Sequence, residues 1–356
     1  MTTFLITGNL GYIGPVLEKN IRNYLPSAII IGLDTGYFRD SIISHKTPFS
    51  RPNVDVQYYI DIRNSEIISD IINRHSVDHI LHLAAISNDP MGCEFEEVTS
   101  SINHYASVNL AKLACSNHVK SFVFASSCSV YGMGGDSPKT EADPLNPLTA
   151  YAKSKVAVES DILSLNETVN SKTKFTCLRF ATACGMSPRL RLDLVLNDFV
   201  ATALSTYKID ILSNGVPWRP LIDVNDMSKL MIWGALRDGS NYEIFNAGCQ
   251  SCNYQVLEIA KKVASALQPN VSINVNESAP IDNRSYQVNF QKLLSVLTTE
   301  FTPSISLSES INNLVNGLKD SLDCVSPINR EHLIRLKTLI KHRAEGRLDG
   351  NLLWLR

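Results

Sequence analysis

The chain has no uninterrupted apolar run approaching the ~18–20 residues that a bilayer crossing needs, which argues against a membrane-spanning helix. It also has little net charge, since 33 Lys and Arg against 35 Asp and Glu leave a formal −2 at pH 7. No global field therefore draws it to nucleic acid or an anionic membrane, and any phosphate must be held by local groups. The opening residues, Met1 to Gly8, carry no basic segment, so neither a signal peptide nor an anchor is expected there. Internal repeats and low-complexity segments are lacking too. The eight cysteines show no disulfide-framework spacing, and Cys177 sits in an apolar run as a reduced core cysteine would. Cys249-x-x-Cys252 has neither a second pair nor a nearby His, which makes it a poor zinc or redox site. The expectation is a folded protein of the reducing cytoplasm, with no metal.

What is present is an α/β pattern, in a chain of 356 residues that can bury a full core. Apolar runs at 3–7, 28–33, 55–60, 79–83, 121–125 and 174–180 lack polar alternation, as strands covered on both faces do. Helical patterns at 13–24, 65–74, 104–117 and 150–165 separate them, which predicts a doubly wound parallel sheet. Beyond Phe180 the pattern loosens around Pro188, Pro217 and Pro220, with helices expected near 193–204 and 255–267. The organisation read from this is a nucleotide-binding domain over 1–180, rejoined by a strand near 220–248. A smaller, interleaved substrate-binding region follows over 181–327, and then a helical extension over 328–356. Leu333, Leu336, Leu339 and Ile340 in that extension have helical spacing, which reads as a docked surface helix.

The clearest motif is Gly8-Asn9-Leu10-Gly11-Tyr12-Ile13-Gly14, directly after a strand and before a helix. Such a loop turns sharply, lets the backbone approach a pyrophosphate, and points the free N–H groups of the helix at it. The second strand ends at Asp34, twenty residues beyond Gly14. A carboxylate there accepts from the adenosine ribose hydroxyls and repels a 2′-phosphate, so NAD is expected rather than NADP. Asp61-Ile62 after the third strand is placed to meet the adenine, although a lone Asp at a strand end also serves as a solvated charge or a helix cap.

Tyr151 and Lys155 are four residues apart at the start of a helical run, and so lie on one face. An ammonium beside a phenol favours the phenolate, which makes Tyr151 a candidate general base. Upstream, a buried strand ends in Ser126-Ser127-Cys128-Ser129-Val130-Tyr131-Gly132, where the hydroxyls face the ligand crevice of a doubly wound sheet.

These motifs, in this order, resemble the extended short-chain dehydrogenase/reductases, and among them the NAD-dependent nucleotide-sugar epimerase/dehydratase family. The likeness also takes in His82-Leu83-Ala84-Ala85, Leu178-Arg179-Phe180, Trp218-Arg219-Pro220 through Asp226, and Phe245-Asn246-Ala247-Gly248, and so spans nearly the whole chain. It implies a Rossmann-type fold and a homodimer formed through the helices at 104–117 and 150–165. It puts Ser127 on the reacting sugar oxygen, Tyr151 as base and Lys155 on the nicotinamide ribose. Leu10, Tyr12, Ile13, Leu83, Ala84, Ala85, Asn103, Ser126 and Phe180 join the cofactor site. Ser87, Cys128, Ser129 and Thr182 line the sugar site, and Asn197, Arg219 and Arg284 hold a substrate diphosphate.

Departures from the family pattern narrow the chemistry. The Asp-Glu pair of 4,6-dehydratases is replaced by Cys128-Ser129, and the Glu of decarboxylating members is missing. Thr182 stands where 4-epimerases often carry Asn. Cys128 reads either as a core residue or as an auxiliary acid/base, and Arg189 and Arg191 either as substrate contacts or as a solvated basic loop. The resemblance implies C4 epimerisation of a nucleoside-diphosphate sugar through a transient 4-keto sugar. A 4-keto-deoxysugar reductase is the alternative, ahead of a dehydratase or a catalytically silent NAD-binding protein.

Overall fold

The computed structural model describes residues 1–43, 53–135, 137–169, 171–267, 269, 271–279 and 284–355. The sheet grows from the apolar runs noted above. Its strands are β1 (Thr3–Thr7), β2 (Ile29–Asp34), β3 (Val56–Tyr59), β4 (His79–His82), β5 (Ser121–Ser127), β6 (Lys174–Phe180) and β7 (Tyr242–Ala247). Their spatial order is β7-β6-β5-β4-β1-β2-β3, and every pairing is parallel. Chain direction across the sheet reverses between β1 and β4, so a crevice opens at their carboxyl ends.

Crossover helices cover both faces: α1 (Gly14–Tyr24), α2 (Ser65–Arg74), α3 (Ser107–Ser116) and α4 (Ala150–Thr168). Further along come α5 (Val195–Thr206), α6 (Val224–Leu236), α7 (Val256–Ala266), α8 (Leu307–Leu318) and α9 (Arg335–Ala344). A short π-helical segment, Ser100–Ala106, leads into α3. The helix read at 104–117 therefore starts earlier and with a different hydrogen-bond period. None of the described helices is long and apolar enough to cross a membrane.

Three apolar clusters fill the interior. Two lie on opposite faces of the sheet, built around Leu5, Ile31, Ile80 and Phe122 on one side and Phe4, Ile6, Ile30 and Leu81 on the other. Alternate residues of the same strands supply the two clusters, which is why the runs are apolar throughout. The third cluster joins α5, α7 and α8 beside a small parallel pair of strands, Lys208–Ile211 and Ser272–Val275. Trp218–Asp223 does not enter the large sheet. It forms a three-stranded sheet with Thr182–Cys184 and Asn253–Gln255, while β7 takes the outer place beside β6.

Two expectations change. Cys249 and Cys252, read as a poor zinc or redox site, are joined in a disulfide with Cα atoms 5.4 Å apart. The extension beyond 328 is also more than a surface helix. Leu339, Leu348 and Leu352 are fully or almost fully buried and belong to the core on one face of the sheet. The Tyr37 hydroxyl donates to the Leu352 carbonyl, and the Trp354 indole donates to the Thr35 carbonyl at 2.7 Å.

Candidate active site

The turn between β1 and α1 is held by contacts that exclude side chains. Gly8 has φ +75°, and a Cβ there would lie 2.6 Å from the Ala84 amide nitrogen. At Gly14 a Cβ would lie 1.9 Å from the Asn9 carbonyl oxygen. Both glycines are thus required by the chain's own backbone. Gly11 is the one that, with Gly8, Tyr12 and Ile13, lines the nucleotide pocket. Beneath the loop, buried Asn9 donates to Glu18 (2.9 Å) and to Gln57 (2.7 Å). Burial raises the Glu18 carboxyl to about 7.

The pocket beside this loop encloses about 140 Å³ and is lined also by Asp34, Asp61, Ile62, Leu83, Ala84, Ala85 and Ser87. Asp34 accepts from the amides of Leu10 (3.0 Å) and Gly36 (2.7 Å), which fixes the carboxylate at the end of β2. Burial raises its pKa, and these two amide bonds oppose that. Asp61 is clamped by Arg63, whose Nη2 lies 2.6 Å from Oδ2.

A second cavity of about 370 Å³ adjoins the first, sharing Ile13, Leu83, Ala85, Ser87 and Arg191 with it. Ser126, Ser127, Tyr151, Lys155 and Phe180 line this larger cavity. Thr149 sets the start of α4: its hydroxyl accepts from the Ala152 amide (3.1 Å) and donates to Asp89 (2.6 Å). Tyr151 falls in the first turn and Lys155 one turn on, so the Lys155 Nζ stands 5.5 Å from the Tyr151 ring centre. The Lys155 Nζ donates to the Ala125 carbonyl at 2.7 Å. Burial pulls this ammonium down to about 7 against the pull of Glu159. Burial also pushes the Tyr151 phenol up to about 12, a hydrogen bond with Ser127 opposing it. The expected lowering of the phenol by Lys155 is not what governs it: desolvation dominates, opposed by Ser127 and Arg191. Ser127 ends β5 and accepts from the Ser129 amide (3.2 Å), which turns the chain into the 3₁₀ turn Cys128–Tyr131.

Around the larger cavity lie Ser87, Ser129, Thr182, Arg191, Arg219 and Arg284. Ser129 presents a buried hydroxyl that has no hydrogen-bond partner among the described residues. Arg284 pairs with Asp89 (3.2 Å), and Arg219 donates to the Trp218 carbonyl (2.8 Å). Arg191 is buried, not a solvated loop charge: it clasps Asp193 through Nε and Nη2, each at 2.9 Å, and donates to Ser87 at 2.9 Å. Arg189 is buried too, donating to the Phe38 carbonyl at 3.0 Å.

Several expected site residues stand behind the walls. Leu10, Gly14, Asn103, Cys128 and Asn197 are buried and line neither cavity. Asn103 brackets Ile86, accepting from its amide (2.7 Å) and donating to its carbonyl (2.9 Å). Asn197 accepts from the Gly185 amide (3.0 Å) and donates to the Tyr12 hydroxyl (3.2 Å) and the Arg191 carbonyl (3.1 Å). Their amides thus brace the loops that form the site. The Cys128 thiol donates to the Arg179 carbonyl at 2.9 Å, and burial raises it far beyond acid/base use. Asp89, Asp193 and Arg335 line the cavities without having been singled out from sequence. Asp193 had a legible signal, two residues from Arg191; Arg335 had none.

A doubly wound sheet, a glycine loop, an acidic β2 terminus and a Tyr-x-x-x-Lys pair at the crevice define a Rossmann-type, dinucleotide-dependent enzyme. Residues 4–248 match the NAD-dependent epimerase/dehydratase family, and the chain belongs to that family. NAD is its cofactor, and the narrow pocket fits it: Gly8, Gly11, Tyr12 and Ile13, just before α1, line it, and Asp34 is fixed at the end of β2 to face a ribose. The dTDP-D-glucose 4,6-dehydratase of Bos taurus is 22% identical over 324 residues, covering 89% of this chain and 88% of that protein. The UDP-glucuronate 4-epimerase of Thermodesulfobacterium geofontis is 26% identical, covering 76% and 81%. Among solved structures, MoeE5 in complex with UDP-glucose and NAD superposes with a TM-score of 0.75 at 25% identity, covering 90% of this chain and 99% of that one.

Proposed function

We propose that this protein is an NAD-dependent epimerase that inverts C4 of a nucleoside-diphosphate sugar. The observation that carries the reading is the company that three residues keep. Ser127, Tyr151 and Lys155 line one cavity with Arg191, Arg219 and Arg284, and that cavity adjoins the nucleotide pocket through shared walls. In this reading the arginines hold a diphosphate, for which guanidinium forks are suited, while the sugar reaches the Tyr151 phenol. Tyr151 takes the C4 hydroxyl proton and later returns it, and Ser127 holds the same oxygen by a hydrogen bond. Lys155 orients the ribose next to the phenol. NAD bound there supplies a reversible hydride acceptor and a positive charge that favours the phenolate. The arginines keep hold of the diphosphate while the 4-keto sugar turns its other face.

The absence of an acid–base pair after Ser127 supports epimerisation over loss of water. Cys128 is a buried, protonated thiol, and Asp89 and Asp193 on the cavity wall are engaged by Arg284 and Arg191. The relatives that bind or act on UDP-glucose and UDP-glucuronate support the substrate class. We also read the protein as a homodimer through α3, α4 and the segment leading into α3, where Tyr105 is 63% exposed. Light scattering would show a monomer if that were mistaken.

Tyr151→Phe should cut epimerisation by about 10²–10⁴-fold and leave NAD binding intact. The assay is interconversion of UDP-hexose C4 epimers without added cofactor, with NAD released on denaturation measured in parallel. Stoichiometric consumption of NADH during turnover would overturn the epimerase in favour of a ketoreductase.

A further inference from the structure

The C-terminal extension delivers a cation into the dinucleotide pocket. Arg335 opens α9, lies outside the segment that matches the family, and lines the narrow pocket together with Asp34, Tyr37, Phe38 and Arg191. Its side chain is buried to 1% exposure. One nitrogen, Nη2, donates to the Arg189 carbonyl at 2.9 Å, and the guanidinium stands 4.7 Å from the centre of the Phe38 ring. The other terminal nitrogen, Nη1, has no hydrogen-bond partner among the described residues.

Burying a guanidinium with an unused donor is costly unless something occupies that donor. The surroundings sharpen the point. Arg189 and Arg191 add like charge, while Asp193 is already committed to Arg191 and Asp34 to two backbone amides. Burial, Arg191 and Arg189 lower the Arg335 pKa to about 9 against the opposing pull of Asp193 and Asp34, a cost that an added anion would relieve. The anionic part of NAD is its pyrophosphate. We propose that Arg335 is a cofactor-binding residue that donates through Nη1 to the NAD pyrophosphate, making the extension part of the cofactor site. Anchoring supports this role. The His342 ring is 3.0 Å from the Tyr37 carbonyl, and Trp354 is bonded to Thr35, so α9 is fixed to the loop after β2 that walls the adenosine end. The inference rests on dinucleotide binding and does not depend on which sugar reaction follows.

The test compares ligands that do and do not carry the pyrophosphate, by calorimetry on the full-length chain stripped of cofactor. Arg335→Met should weaken NAD and ADP-ribose by about 10- to 100-fold, the range for a charge-assisted bond, and change adenosine affinity less than about twofold. Arg335→Lys, which keeps the charge without the fork, should fall between and serves if the Met variant does not fold. Equal losses for adenosine and ADP-ribose would show a purely structural residue and overturn the proposal. So would unchanged ADP-ribose affinity, or a loss confined to NADP, which would move the contact to a 2′-phosphate. Because binding alone is read, a wild type that binds NAD but epimerises no sugar would sink the proposed function and leave this inference standing.

Discussion

At the scale of single residues, burial governs the chemistry of the centre more than neighbouring charge does. Lys155 was legible as the partner of Tyr151 from spacing alone, but its environment was not, because Phe124 and the Ala125 carbonyl come from a strand about thirty residues upstream. The consequence can be measured. Lys155 falls from its ordinary 10.5 to about 7 because it is buried. Below pH 7 the folded and unfolded chains both carry the proton, and the fold bears the full cost of a buried charge. Between about 7 and 10.5 the unfolded chain binds more protons, so stability rises with pH, and above 10.5 the gain is complete. In Lys155→Met this rise disappears. Urea midpoints taken at about pH 7 and about pH 9.5 should therefore favour the wild type increasingly at the higher pH. Parallel curves would mean that the ammonium stays charged and compensated inside the fold. Residue type did not show that the Asn103 and Asn197 amides are taken up by backbone and side-chain partners distant in sequence, which no linear pattern reveals.

At the scale of elements, strands enclosed on both faces were the easiest to read. The expected limits of β1 and β6 coincide with the observed ones, because both are short, largely buried runs without polar alternation. The short pair Lys208–Ile211 and Ser272–Val275 went unread: each is four residues long and half exposed, so neither its length nor its pattern rises above a loop. The glycine loop was legible as a motif, whereas the division of labour within it was not. Gly14 answers to the Asn9 carbonyl, while a Cβ at Gly11 would meet only the Gly8 carbonyl, at 3.1 Å, and would border the pocket. Alanine should separate the two. Gly14→Ala forces the loop apart and should cost about 3 kcal/mol or more, with a lowered Tm and no NAD binding. Gly11→Ala should keep most of its Tm and lose dinucleotide affinity. Thermal unfolding with an NAD titration checks both; a Gly14→Ala chain with wild-type Tm would refute the packing argument.

At the scale of the whole molecule, the extension links the end of the chain to its nucleotide-binding core. Helical spacing in the tail showed that some face was buried, but amphipathicity does not say against what, so its place at the cofactor pocket was beyond reach of the sequence. The residues after α9 fold back through a bridge between Leu348 and Trp354, and Leu348 and Leu352 enter the cluster that holds Tyr37, Ile62 and Ile102. Fully burying two leucines contributes about 3–6 kcal/mol, before the entropy of ordering the segment is set against it. Removing residues 345–356 takes this away and frees the Tyr37 hydroxyl and the Thr35 carbonyl from their partners. It leaves Arg335 in the chain, so the loss measures the anchor and not the guanidinium. The shortened protein should unfold several degrees lower, and it should bind adenosine as well as NAD less tightly, because the wall loosened is the one that borders the adenosine end. That pattern is the opposite of the one expected for Arg335→Met, which spares adenosine. If truncation left adenosine binding and Tm unchanged, the tail would be an ornament on the surface, and the loop after β2 would owe its shape to the Rossmann core alone.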